Sequence, residues 1–445
     1  MERREFLASA VSTGAGLLVF NGPLLGATSP NNKLNIALLG AHGRASQHYG
    51  GLKGENIVAL VDINAKNMAL AAKVFPEAKQ YVDWRKCLDD AKKLGLDAVM
   101  ICAPDHNHGH MSSWALNRDL HIYCEKPLGI CVEEAHVCRT KWLAKKDKLA
   151  TQVGTQRHAH SNFQRVQELV RDGAIGELRE AWAWGSRQIR RPGYLSAEGQ
   201  PPDWLNFDLW LGPSPFHPYN PAYFSGGPGA NCLQWNPFWD FGTGQVGDMG
   251  SHTMDLAWCA LDADVATTAA AEGDKPNPDT APVALHASFT LPANTWRKEI
   301  DLHWYQGGMM PDGIVGYIDL KKIGHGAMFR GSKGLLICDF TSRVIVPHAP
   351  DSDLTYYKPR PKEQQIPPIK GFVEEWMRAC KGDNKTTTCN FDYSGKMMET
   401  MFLGLAAHRA QARLEYDAKA CKVTNNPAAN EFLRRKYREG WPLDG

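Results

Sequence analysis

Short apolar, β-prone runs alternate with amphipathic ones through the first third of the chain. Residues 34–39, 56–61, 96–102, 120–124 and 149–153 have the length and apolar content of buried strands. Between them, residues 65–74, 84–94, 107–116 and 133–146 read as helices. Strands alternating with helices at this spacing predict a parallel, doubly wound sheet over residues 33–154.

After residue 154 the pattern changes. Residues 163–171 predict an amphipathic helix, a Gly-rich turn follows at 173–176, and 178–184 predict a strand. Residues 185–245 have no clear period but hold many rings, among them Tyr194, Trp204, Trp210, Phe216, Tyr219, Tyr223, Phe224, Trp235, Phe238, Trp239 and Phe241. Such a segment is ordered rather than disordered; its rings either face a ligand such as a sugar or pin long loops. Residues 284–291, 298–304, 314–320, 326–330 and 335–340 read as strands without intervening helices, predicting a second, α+β domain with a large, mostly antiparallel open sheet. A Pro-rich loop at 347–368, helices at 372–381 and 396–413, and a polar helical tail at 426–445 complete the chain.

The N-terminus stands apart. Arg3-Arg4-Glu5-Phe6-Leu7 precedes a small-residue apolar run ending near Leu25-Gly26-Ala27. This predicts a twin-arginine signal over residues 1–27 and an exported, periplasmic mature protein without a membrane span. The remainder, with the second domain taken as residues 155–425, is too long for one core. A formal charge of +2 gives no reason to expect a nucleic acid partner. The 11 cysteines lack CxxC spacing, so neither a disulfide framework nor a metal centre is expected. His106, His108 and His110, like His158 and His160, read as loop and helix-start histidines.

Three stretches carry chemistry. The first strand runs into Gly40-Ala41-His42-Gly43-Arg44-Ala45, where a glycine turn before a helix would cradle a pyrophosphate. His42 stands where a second glycine belongs, so Gly43 must take the close approach or the loop is displaced. Asp62, ending the second strand, is placed for a ribose diol and favours NAD over NADP. The fifth strand delivers Glu125 and Lys126, stopped by Pro127, to the sheet edge where α/β folds bind ligands. Farther on, Asp248, His252 and Asp255 fall i, i+4, i+7 on one predicted helix face, the spacing of an acid/base pair or of an ordinary capped helix.

These stretches together resemble the glucose–fructose oxidoreductase / inositol dehydrogenase / MocA (Gfo/Idh/MocA) family. So do Ala103-Pro104-Asp105-x-x-His108, Val153-Gly154-Thr155-Gln156, Trp210-Leu211-Gly212-Pro213 and Tyr437-Arg438-Glu439-Gly440-Trp441. The resemblance implies that Lys126 polarises the substrate oxygen, that His252 is the general acid/base, and that Asp248 is its partner or a hydroxyl ligand. It also implies that Gly40, His42, Gly43, Arg44, Ala45, Asp62, Pro104, Asp105, His108, Glu125 and Lys126 line the cofactor. Gln156, Tyr223 and Trp235 are expected to join Lys126, Asp248 and His252 at the substrate, and a homo-oligomer paired through the open sheet is implied.

Export poses a constraint, because no soluble NAD pool regenerates a cofactor outside the cytoplasm. Tightly held NAD must then return to its starting state in each cycle. Oxidoreduction of carbohydrates on one recycled NAD satisfies this. The alternative is an NAD-dependent glycosidase working by transient oxidation, elimination, water addition and re-reduction, outside the two-carboxylate rule. A third reading is a non-catalytic sugar-binding protein, with His42 as the sign of lost turnover.

Overall fold

The computed structural model describes residues 33–227, 229–311, 318–349, 353–382 and 386–445. The expected signal at 1–27 and most of the strand expected at 314–320 lie outside the described residues; Leu320–Lys322 form a single 3-10 turn.

The first sheet has six parallel strands: β1 (Asn35–Leu39), β2 (Asn56–Val61), β3 (Lys79–Tyr81), β4 (Ala98–Ile101), β5 (His121–Cys124) and β6 (Thr151–Val153), in the order β3-β2-β1-β4-β5-β6. The order reverses between β1 and β4, so a crevice opens at their carboxyl ends. β1 and β4 are buried on both faces because helices cover both sides. The helix expected at 84–94 breaks at Asp90 into Trp84–Asp89 and Ala91–Leu94. β3, too short and too polar for a periodic signal, is an edge strand.

The second sheet has nine strands: β7 (Leu178–Gly185), β8 (Thr268–Gly273), β9 (Leu285–Leu291), β10 (Ile300–Gln306), β11 (His325–Gly331), β12 (Gly334–Cys338), β13 (Arg343–Pro347), β14 (Leu414–Asp417) and β15 (Lys422–Val423). Their order is β13-β12-β11-β7-β10-β9-β8-β14-β15, antiparallel except where β7 meets β10. β9 and β10 bury every second side chain, so one face meets the core. The helix Phe391–Ala410 lies on that face, and Gly404 admits the Phe289 ring, 2.8 Å from where a Cβ would be. Its opposite side packs on the first-domain helix Val132–Leu143, so this helix ties the domains together. Among the described residues no helix is long and apolar enough to cross a membrane.

Residues 426–441 are not the helix expected from sequence. Only Pro427–Leu433 turn, as 3-10 helix, and the rest is an irregular strap over the first domain. Several of its residues make contacts with other elements: Arg435 Nε donates to Glu134 Oε1 at 2.6 Å, and Arg85 stacks over Trp441. Glu134 is fully buried, so removing its partner strands a charge. Arg435→Ala should cost about 3–5 kcal/mol in denaturant unfolding; a loss under about 1 kcal/mol, the scale of a surface pair, contradicts this reading.

Candidate active site

The nucleotide loop follows β1. Gly40 has φ +84°, and a Cβ there would lie 2.8 Å from the Cys102 carbonyl, so only glycine lets the loop cross the end of β4. Gly43 has φ +68° with open space where its side chain would be. Of the two arrangements the His42 substitution left open, this geometry leaves room for a close approach at Gly43. His42 turns aside, its Nδ1 3.5 Å from Tyr49 Oη, and Tyr49 Oη donates to Ala41 O at 2.5 Å. The helix expected after the loop is absent. Ala45–Gln47 form one 3-10 turn, so anion recognition falls to loop N–H groups, and those of Gly43 and Arg44 have no partner among the described residues.

Around this loop Glu125 is buried and its Oε1 takes His48 Nε2 at 2.6 Å and Arg44 Nε at 3.0 Å. Burial works against its charge, but His48 and Arg44 hold its pKa below the ordinary value. The Gln156 amide, with its oxygen toward Arg44, accepts from Nη2 at 2.7 Å. Glu125 thus serves as an anchor for the loop. His48, silent in sequence, is part of it.

Lys126 points the other way. Its Nζ donates to Asp248 Oδ1 at 2.7 Å, and Arg187 Nη1 lies 3.2 Å from Asp248 Oδ2. Burial disfavours the ammonium, yet Asp248 and Asp105 outweigh it and hold the Lys126 pKa above the usual lysine value. Asp248 is likewise buried but kept low by Lys126 and Arg187. Asp105 has no such ion pair among the described residues, and burial pushes it up to about 7 despite Lys126.

Asp248 does not sit in an α-helix. Val246–Gly250 form a π-turn that feeds the α-helix Ser251–Leu261, a widening common at functional sites. Gln188 Oε1 accepts from Gln245 N at 3.0 Å and fixes the start of the turn. The π-turn breaks the expected i, i+4 spacing between Asp248 and His252. Asp248 bonds Lys126 and Arg187 rather than His252. Asp255 is fully buried behind the site, held by His158 Nδ1 at 2.9 Å and Tyr393 Oη at 2.5 Å.

His252 is 5% exposed, and its Nδ1 is buried with no hydrogen-bond partner among the described residues. Burial first, then Lys126, Arg157, Arg44 and His325, push its pKa well below the usual value, so the ring is neutral at pH 7. Arg157, Arg187 and His325 are neighbours that sequence reasoning did not single out. His325 opens β11, and Gly185 leaves room for its ring, since a Cβ there would stand 2.5 Å from His325 Nδ1.

Two expected substrate contacts sit in an aromatic cluster. Tyr223 is fully buried, packed on Trp210, Phe238 and Phe241, with its Oη taken by Leu195 N. Trp235 is buried in the same cluster with its ring against His106. The rings of 185–245 that these two represent pin the loops. His106 is a core residue whose Nε2 meets Trp210 O at 2.7 Å; burial pushes its pKa down to about 3. His108 bridges Ala103 O at 2.7 Å and Pro127 O at 2.8 Å, joining the loop after β4 to the one after β5. His110 faces Glu134 and the Tyr437 ring.

Residues 34–155 match the family model for the "Oxidoreductase family, NAD-binding Rossmann fold", and residues 192–443 match that for its "C-terminal alpha/beta domain". The chain belongs to the Gfo/Idh/MocA oxidoreductase family. An inositol 2-dehydrogenase of Arthrobacter sp. is 29% identical over 152 residues, 33% of this chain and 43% of the relative. A 4-carboxy-2-hydroxymuconate-6-semialdehyde dehydrogenase of Sphingobium sp. is 26% identical over 180 residues, 40% and 55% of the two chains. The chain thus spans about half or less of the length of these curated relatives. Among solved structures, the WlbA dehydrogenase from Bordetella pertussis, in complex with NADH and UDP-GlcNAcA, has a TM-score of 0.58 at 12% identity and covers 86% of this chain and 99% of that one. The aldose-aldose oxidoreductase from Caulobacter crescentus gives 0.56 at 14%, covering 86% and 100%. At these identities the structures share the fold.

The first domain of this Gfo/Idh/MocA oxidoreductase is an NAD-binding Rossmann domain, and its residues fit the cofactor. Gly43 leaves a cradle, the Gly43 and Arg44 N–H groups have no partner among the described residues and suit a pyrophosphate, and Asp62 stands at the end of β2 for a ribose diol. Burial raises the Asp62 pKa to about 6, although it accepts from Asn64 N at 2.9 Å. A carboxyl raised on folding costs stability as pH climbs through that range, and ribose hydroxyls offset the cost. NAD affinity should fall as pH drops through about 6, and Asp62→Asn should weaken NAD about tenfold or more while narrowing the preference over NADP. Equilibrium titration from about pH 5 to about pH 8 checks both; a flat profile with unchanged NADP discrimination removes Asp62 from the ribose.

Proposed function

We propose that this protein transfers a hydride between a carbohydrate carbinol carbon and a tightly held, recycled NAD. The observation that carries the reading is the Lys126–Asp248 ion pair at 2.7 Å, placed at the carboxyl end of β5 beside a neutral His252 with an unpartnered Nδ1. NAD, when bound, supplies the hydride acceptor. His252 takes the hydroxyl proton as the C–H bond breaks. Lys126, held charged by Asp248, stabilises the alkoxide that develops on the same oxygen. Arg157 and Arg44 add positive potential that helps keep His252 unprotonated before each turnover.

The inositol 2-dehydrogenase relatives and the fold shared with an aldose-aldose oxidoreductase support a cyclic polyol or sugar as substrate. They favour net oxidoreduction over the glycosidase cycle, which would use the same residues. A non-catalytic sugar-binding role is disfavoured by the Gly43 cradle that compensates for His42. The reading includes export through the Arg3-Arg4 signal and pairing of two chains through the open sheet, both as expected from sequence.

Lys126→Ala and His252→Ala should each lower kcat by about 10²–10⁴ while leaving bound NAD in place. Steady-state kinetics with a cyclitol and aldose panel, together with release and quantitation of bound nucleotide, checks this. Full turnover in either variant removes that residue from the mechanism.

A further inference from the structure

A second concavity of about 570 Å³ lies apart from this chemistry, lined by neither Lys126, Asp248, His252 nor the nucleotide loop. Its walls come from the helix Phe391–Ala410, the C-terminal strap and the aromatic segment before the π-turn. Its volume is that of a small-molecule site. Arg409 stands in the wall, its guanidinium carbon 5.0 Å from the Trp239 ring centroid and 4.4 Å from that of Phe432.

Two ring contacts to a guanidinium carbon use none of its N–H donors. Arg409 is half-buried yet makes no hydrogen bond or ion pair with any described residue. Arg435, in the same wall, shows the contrast: its guanidinium bonds Glu134 and His106 O, each at 2.6 Å, and Ser214 Oγ at 3.1 Å. Burial also pulls the Arg409 pKa down, with Glu431, Tyr194 and Asp240, all facing it, only partly opposing. A planar fork fixed by rings with its edge free is matched to a carboxylate. The remaining wall suits a hydroxylated body. Asp240, already taking His217 Nε2 at 2.8 Å, offers acceptor oxygens, and the exposed Lys436 offers donors.

We propose that this cavity binds a sugar acid, its carboxylate paired edge-on with Arg409 and its hydroxyls toward Asp240 and Lys436. The site goes beyond the proposed hydride transfer and is independent of it. Calorimetry on the full-length, NAD-saturated protein with D-glucuronate, D-glucose and acetate tests it. D-glucuronate should bind wild type and Lys126→Ala alike and at least about tenfold more tightly than either other probe. Arg409→Gln should lose at least about tenfold in D-glucuronate affinity, with sugar turnover unchanged. Arg409→Lys, which keeps the charge between the rings but not the fork, serves if Arg409→Gln fails to fold and should show the same loss. Equal binding of D-glucose or acetate overturns the proposal, as do binding lost in Lys126→Ala, unaltered binding in both Arg409 variants, or no binding to wild type.

Discussion

The structure turns on one buried ion pair. Lys126 and Asp248 stand 122 residues apart, one ending a strand of the first sheet and the other in the π-turn of the second domain. Leaving either charge buried alone would cost several kcal/mol, so the interface that brings them together is constrained to close on this point. The supporting contacts serve that constraint. His108 ties the loops after β4 and β5, Gln188 fixes the start of the π-turn, and the helix Phe391–Ala410 packs against both domains.

That pair also sorts the titratable groups around it. Lys126 stays charged because Asp248 and Asp105 outweigh its burial, and its charge in turn helps keep His252 neutral. Two neighbours are therefore held in opposite protonation states, the arrangement that lets one accept a proton while the other stabilises an anion. On the far side of Lys126, Glu125 bonds Arg44 and His48 and so couples the nucleotide loop to the same strand end. Cofactor and substrate sides of the crevice thus meet at two consecutive residues.

Local pattern made the first sheet legible, because buried parallel strands are short apolar runs. The Glu125-Lys126-Pro127 and Asp248/His252 stretches were legible as motifs. What depended on tertiary contact was not. Arg157, Arg187, His325 and His48 come from turns, irregular segments and a strand start, and only folding aims them at Asp248, His252 or Glu125. The π-turn is invisible to a helical period, so Asp248 read as sharing a helix face with His252, whereas it bonds Lys126 and Arg187. Tyr223 read as a substrate contact but is closed inside an aromatic cluster, because ring content does not say which way a ring faces. The edge strands β3, β13 and β15 are too short to show a period, and the strap at 434–441 has polar residues that read as a solvated helix until Glu134 supplies a partner.

Hydride transfer itself is tested most directly with label. The NAD-loaded protein would be turned over with cyclitols and aldoses carrying deuterium at every ring carbon, and the reduced nucleotide released and weighed. The account predicts one deuterium on the nicotinamide ring, with the label transfer slowed or abolished in Lys126→Ala. Turnover of a labelled substrate without deuterium reaching the nicotinamide would contradict it.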